Sequence, residues 1–190
     1  KSSICINLIG ILYEKKENQF NLIHSDLPSL LSRVAFKKSI DQFIHVSALG
    51  IELATDSKYA LSKLSGERNV MNNFSKSVIL KPSIVYSVDD NFTTNFMRLL
   101  SILPLMPLYY EGKTKFTPIH VSDFRDIIFK IVQKKITGQI IECIGPEVIT
   151  FKEMILKILK SINKKRLLFP IPLFLAQMNA KLFQLIPKPL

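Results

Sequence analysis

The 190 residues include no tryptophan, two cysteines, three histidines and six glycines. Cys5 and Cys143 stand far apart, which excludes a disulfide scaffold and any CxxC zinc or redox motif. His24, His45 and His120 are scattered, without the spacing of a metal site. No two of Gly10, Gly50, Gly66, Gly112, Gly138 and Gly145 have the spacing of a phosphate-cradling glycine loop. No apolar run reaches the ~18–20 residues that cross a bilayer. The greasiest stretches, residues 99–110 and 167–176, are broken by prolines. Acidic residues are scarce too, 15 against 26 lysines and arginines, and the net charge is +11.

That charge is uneven. Residues 1–95 carry +2, residues 96–190 carry +9, and the last forty alone carry +7. A basic surface attracts nucleic acid, an anionic membrane or an acidic partner. Nucleic acid is disfavoured, because lysines outnumber arginines 21 to 5 and no aromatic-and-arginine platform is visible. The plainer reading of the lysine excess is compositional, as AT-rich coding would give.

What is present is a globular composition, 47% hydrophobic and 22% charged, in a length that suits one domain or one and a fraction. Residues 3–10 (SICINLIG) read as a buried strand. Residues 18–38 read as a helix on Leu27, Leu30, Leu31 and Val34, with Pro28 marking a start or kink. Residues 42–47 (QFIHVS) are a second strand. Residues 57–74 are a helix with Leu61, Leu64, Met71 and Phe74 expected inward. Residues 77–80 are a third strand, stopped at Lys81-Pro82. Strand, helix, strand, helix, strand, with apolar strands, predicts an α/β fold. Its sheet is parallel and Rossmann-like, with helices on both faces.

The second half changes character and suits a small α+β cap. It reads as a helix over 91–103, a strand over 109–119, a helix over 123–134 behind Ser122, and a strand over 139–144. The clearest helix covers 150–162. Thr150 and Glu153 have the spacing of a capping box, and Phe151, Met154, Ile155, Ile158, Leu159 and Ile162 share one face. From Leu167 the chain is proline-rich and apolar, then helical around 175–185. That stretch, with Lys164, Lys165, Arg166 and Lys181 beside it, suits either a core or an anionic interface.

The most informative segment is Tyr59-Ala60-Leu61-Ser62-Lys63. Tyrosine and lysine four apart lie on one helical face. An ammonium near a phenol stabilises the phenolate and is expected to lower its pKa. Such a tyrosine exchanges a proton with an alcohol or carbonyl. Alone, the pattern also occurs on many solvated helices. Its context is sharper: Ser47 ends an apolar strand twelve residues earlier, and ligands of open α/β sheets sit beyond the carboxyl ends of strands.

This serine, tyrosine and lysine order resembles the short-chain dehydrogenase/reductase superfamily. Glu67, four after Lys63, and Lys81-Pro82-Ser83-Ile84-Val85-Tyr86 resemble its extended, epimerase/dehydratase-like branch, with Lys81 in place of arginine and Ser87 in place of glycine. Residues 7–13 (NLIGILY), 43–50 (FIHVSALG), 116–123 (FTPIHVSD) and 167–173 (LLFPIPL) narrow the likeness. They are similar to an atypical branch that contains the nucleotide-binding accessory subunit of respiratory complex I and its bacterial relatives.

The resemblance implies a nicotinamide dinucleotide cofactor, NADP or NAD. It implies Ser47, Tyr59 and Lys63 as the catalytic set, and Asn7, Gly10, Ser47, Tyr59, Lys63, Lys81, Pro82, Ser83 and Ile84 as cofactor-binding positions. It assigns residues 1–88 to the C-terminal portion of a Rossmann domain and 89–190 to the cap. The missing G-x-x-G-x-x-G is a departure, and the expectation drawn from it is that the chain is a piece of a longer protein. The implied function is hydride and proton chemistry on an alcohol or carbonyl. The alternative is a non-catalytic cofactor-binding subunit docked on a respiratory membrane complex or an anionic membrane surface. The expected location is cytoplasmic or peripheral on a bacterial inner membrane, or the mitochondrial matrix side in a eukaryote. His45 and His120 are expected to be structural, Asp123 to cap a helix or neutralise its dipole, and Phe92, Phe96 and Met97 to pack a core.

Overall fold

A computed structural model describes residues 3–171. In chain order these form β1 (Ile4–Asn7), α1 (Gln19–Asn21), a π-helical stretch (Leu22–Asp26), α2 (Leu27–Lys37), β2 (Gln42–Val46), α3 (Lys58–Asn73), β3 (Val78–Pro82), β4 (Val85–Tyr86), α4 (Asn91–Ile102), β5 (Leu105–Tyr109), β6 (Lys115–Phe116), β7 (Ile119–His120), α5 (Val121–Gln133), β8 (Ile140–Cys143), β9 (Ile149–Thr150), α6 (Phe151–Ser161) and β10 (Leu167–Ile171). They group into two compact units, residues 3–83 with 119–144 and residues 84–118 with 145–171. The chain therefore does not divide at a single cut after residue 88. Residues 119–144 return to the first unit because β8 pairs with β3 there.

The first unit is built on a four-stranded parallel sheet in the order β1-β2-β3-β8. Phe43, Ile44, Ile79 and Leu80 are all fully buried, so both faces of the central strands are covered. That explains their continuous apolar sequence. On one face Phe43 and Ile79 pack with Ala35 of α2 and with Val70 and Phe74, at the end of α3. On the other, the Gln42 amide donates to the carbonyls of Ile131 in α5 (3.2 Å) and of Ile136 just beyond it (3.1 Å). The fold is the expected α/β one, with helices on both faces.

Three local expectations change. The inward face of α3 carries Ala60, Lys63, Gly66, Glu67 and Val70, whereas Leu61 and Met71 are 52% and 42% exposed. The buried stripe holds polar groups because Glu67 meets the ammonium of Lys81 there. Helix α5 begins at Val121 behind His120, whose ring accepts from the Ser122 amide, so Asp123 is not the cap but lies in the first turn, where a carboxylate meets the helix dipole, the other role expected of it. The helix expected over 18–38 is interrupted by the π-helical stretch.

The second unit holds α4, α6 and two small sheets. Leu100, Met106, Leu108, Met154, Ile155, Ile158 and Leu159 form its core. Helix α6 starts with the full capping box: Thr150 Oγ1 accepts from the Glu153 amide, and the Glu153 carboxylate accepts from the Thr150 amide. The strand expected over 109–119 lies earlier, at Leu105–Tyr109, and pairs in parallel with Leu167–Ile171. After it the backbone turns at Tyr110 and Glu111, both at positive φ, Lys115–Phe116 returns to strand against β9, and Ile119 opens the short strand β7. The helix expected around 175–185 lies outside the described residues. No described helix is long and apolar enough to cross a membrane.

Candidate active site around Tyr59 and Lys63

The sheet of the first unit brings the carboxyl ends of β1 and β2 side by side. Helix α3 then lays Lys63 against them, where the buried ammonium donates to the Val46 carbonyl at 3.1 Å. Gly10 lies beside it. A methyl group at that glycine would sit 3.5 Å from Lys63 Nζ and 3.8 Å from His24 Nε2. No side chain therefore stands between the Gly10 backbone and the ammonium.

Tyr59 stands one turn before Lys63, half-buried. Its ring meets His24 edge-on at 5.2 Å and Phe20 edge-on at 5.7 Å, while Phe20 stacks on His24 at 5.4 Å. His24 is itself fixed at both nitrogens. Nε2 accepts from the Ile11 amide at 3.0 Å, so the ring proton belongs on Nδ1, facing Ser62 Oγ at 2.9 Å. The Ser62 hydroxyl donates onward to the Tyr59 carbonyl at 2.7 Å.

Asn7 closes the floor. Its carbonyl oxygen accepts from the Ile9 amide and its amide nitrogen donates to His45 Nδ1, both at 3.1 Å. This leaves the His45 ring proton on Nε2, buried and without a protein acceptor. Ser47, the residue after Val46, is held by its amide to the Leu80 carbonyl at 2.7 Å, and its buried hydroxyl has no protein partner.

Burial sets the titration of this cluster. It pushes the Tyr59 phenol up. It pulls the Lys63 ammonium down, against the opposing charge of Glu67. It lowers His24 to about 4 and His45 to about 3, in both cases aided by the charge of Lys63. The expected lowering of the Tyr59 phenol by Lys63 is therefore reversed in direction. Desolvation dominates, and the ammonium is engaged by Val46. Tyr59 is thus a protonated phenol one helical turn from a buried cation.

Asn7, Gly10, Tyr59 and Lys63 thus come together, with Ser47 next to the carbonyl that anchors Lys63. Lys81 is placed differently. It is buried between Glu52 and Glu67, 3.0 Å from the latter. Burial alone would lower its ammonium, but the two carboxylates outweigh that and hold it up. Pro82 and Ser83 are tied by backbone bonds to Leu49 and Cys143. Ile84 belongs to the second unit. Phe92 and Phe96 pack on each other at 4.9 Å at the edge of that unit's core, where Met97 also packs. Among the described residues no cluster of three His, Cys, Asp or Glu side chains could hold a metal ion.

No family model matches the chain. It is 28% identical over 189 residues to mouse mitochondrial NADH dehydrogenase (ubiquinone) 1 alpha subcomplex subunit 9, over 98% of this chain and 50% of that protein. The chain spans about half the length of the curated relatives it matches. Its fold superposes on a dTDP-4-dehydrorhamnose reductase from Clostridium acetobutylicum with a TM-score of 0.75 and 17% identity, covering 90% of this chain and 65% of that one. A UDP-glucuronic acid 4-epimerase from Bacillus cereus gives 0.73 and 20%, covering 90% and 62%. The chain is thus similar in sequence to complex I subunit 9 proteins and shares the fold of these reductases and epimerases. To the serine, tyrosine and lysine read from the sequence, the structure adds His24 and Phe20. Sequence reading left both out of the site. Their one local signal was a four-residue spacing on a single helical face, a spacing that core residues share.

Proposed function

We propose that this chain holds the nicotinamide-ribose end of a nicotinamide dinucleotide, NADP or NAD, against Lys63, and that Tyr59 exchanges a proton there with an alcohol or carbonyl substrate. The observation that carries the reading is Lys63 itself. A buried ammonium has three N–H groups to satisfy. One goes to Val46, and the flank beside Gly10 carries no side chain. Ribose hydroxyls are acceptors of the right kind. The buried Ser47 hydroxyl, without a protein partner, supplies a hydrogen bond for the reacting oxygen.

These residues fit the ribose and nicotinamide portion of the cofactor. None of the six glycines supplies a pyrophosphate cradle. When bound, the cofactor supplies or accepts hydride. The chain's own part is narrower. Ser47 orients the oxygen, Tyr59 gives it a proton, and Lys63 keeps positive charge close to both. Asn7 and Gly10 shape the floor, and residues 81–83 contribute backbone, since the Lys81 ammonium is committed to Glu52 and Glu67.

In the full-length protein, Tyr59→Phe should lower turnover by 10²–10⁴ while dinucleotide affinity stays within a few-fold. Lys63→Met should weaken dinucleotide binding at least tenfold in calorimetry. Unchanged affinity in Lys63→Met defeats the cofactor assignment, and unchanged turnover in Tyr59→Phe defeats the catalytic one.

A second reading is favoured by one surface. On β5 and β10, Met106 and Leu108 face the core while Leu105, Leu167 and Phe169 are exposed, directly after Lys164, Lys165 and Arg166. An apolar face with a basic border suits a subunit docked on a larger complex, and the mouse relative is named as a subcomplex subunit. On this reading the cofactor is structural, the protein is peripheral on a membrane complex, and Tyr59→Phe changes nothing. Leu167→Asp with Phe169→Asp should then abolish comigration with a respiratory complex on native gels.

A further inference from the structure

The second unit holds a cavity of about 450 Å³. That is within the range of small-molecule sites and far above a packing void. One wall is a stripe of α6, where Met154, Lys157, Ile158 and Ser161 follow at helical spacing. Phe92 and Ile149 extend the apolar lining. Met154 and Ile158 also belong to the buried core of the unit, so this wall is rigid and preformed.

The polar groups decide what could enter. The lining carries one cation and one anion, and these pair with each other: Lys157 donates to Glu147 at 2.8 Å. Tyr86 lies near enough to act on the Lys157 ammonium. Two helices begin around this cavity, and a helix N-terminus would ordinarily attract a phosphate. Both are already occupied by the chain's own carboxylates. Asp90 accepts from the Thr93 amide at the start of α4, and Glu153 accepts from the Thr150 amide at the start of α6. A nucleoside diphosphate would bring negative charge to a lining with no unpaired cation among its described residues and no open helix end.

We infer that this cavity binds a small, uncharged, mainly apolar molecule with a hydroxyl or carbonyl that meets Tyr86 and the Glu147–Lys157 pair. The inference stands apart from the reading of Tyr59 and Lys63, because every residue it uses lies in the second unit.

The test uses full-length protein carrying ¹³C-methyl methionine, titrated with 1-decanol, 1-octanol, decanoate and UDP-glucose. Decanol should shift the Met154 methyl signal saturably and leave Met71, on the surface of the first unit, in place. Octanol, two methylenes shorter, should bind about fifteenfold more weakly, at roughly fourfold per methylene. Decanoate and UDP-glucose should need higher concentrations than decanol. Thr93→Trp, which places an indole in the cavity, should abolish the Met154 response with the Met106 core signal unchanged. Should that variant disturb Met106, Ser161→Trp fills the cavity from α6 instead. The inference is overturned by a Met154 signal that ignores decanol, by Met71 moving in step with it, or by UDP-glucose acting at lower concentration than decanol. Lys63→Met should leave decanol binding unchanged, which separates failure here from failure of the dinucleotide reading.

Discussion

His24 and His45 are the residues whose protonation the fold opposes most. Burial lowers His24 to about 4, with the Lys63 charge assisting and the Ile11 bond and Glu14 opposing. Burial lowers His45 to about 3, assisted by Lys63 and His24. An unfolded histidine titrates near 6.5. Between each folded value and 6.5 the unfolded chain binds more protons, so stability rises with pH across that window. It is fully present above about 6.5 and is lost as pH falls toward about 4 for His24 and about 3 for His45. The loss is of order a few kcal/mol for each residue. Urea unfolding at a series of pH values should show the midpoint falling from pH 7 to pH 4.5, and His24→Gln should reduce the slope. A midpoint constant over that range sinks the assignment of both rings as buried and neutral. Tyr59, Lys63 and Ser47 were legible because their spacing is local. His24 was not, since Ser62 and Tyr59, which give it a role, are brought to it only by packing.

At the scale of elements, the π-helical stretch and α3 are locked by one glycine. A Cβ on Gly66 would stand 1.8 Å from the His24 carbonyl oxygen and 3.0 Å from its carbon. Those are backbone atoms and cannot step aside as a side-chain tip would. Gly66→Ala must push the π-helical stretch off α3, and with it the His24 ring off Tyr59. The expected cost is about 3 kcal/mol or more, at the upper end of overpacking changes. Chemical denaturation should show it, together with a changed near-ultraviolet circular dichroism of the Phe20, His24 and Tyr59 group. A near-neutral Gly66→Ala would mean that the two elements are not in this contact. The same contrast of local and distant causes explains what the sequence showed of the elements. The capping box of α6 was readable because Thr150 and Glu153 satisfy each other within one turn. The pairing of β5 with β10 was not, because its register is set by a strand more than fifty residues later. The inward face of α3 was misjudged because an apolar pattern was sought where the fold buries Lys63 and Glu67.

At the scale of the molecule, charge and cofactor affinity have to be separated. A net charge of +11 attracts any polyanion at low salt, a dinucleotide included. At ~0.15 M salt the screening length is about 8 Å, and that general attraction largely disappears. What remains for the 190-residue chain, on the cofactor reading proposed above, is the cluster of Asn7, Gly10, Ser47, Tyr59 and Lys63, which would meet one end of a dinucleotide and offers its pyrophosphate no glycine loop. Calorimetry at that salt should therefore find NADPH binding to this chain weaker than about 100 μM, or roughly −5.5 kcal/mol. A longer protein that supplies the loop should bind at least a hundredfold more tightly, with the gain abolished by Lys63→Met. The comparison is informative in both directions. A micromolar dissociation constant for the 190 residues alone would mean that lysines grip the phosphates directly. That constant would then weaken steeply between 0.05 and 0.5 M salt, as binding by hydrogen bonds from a neutral glycine loop would not.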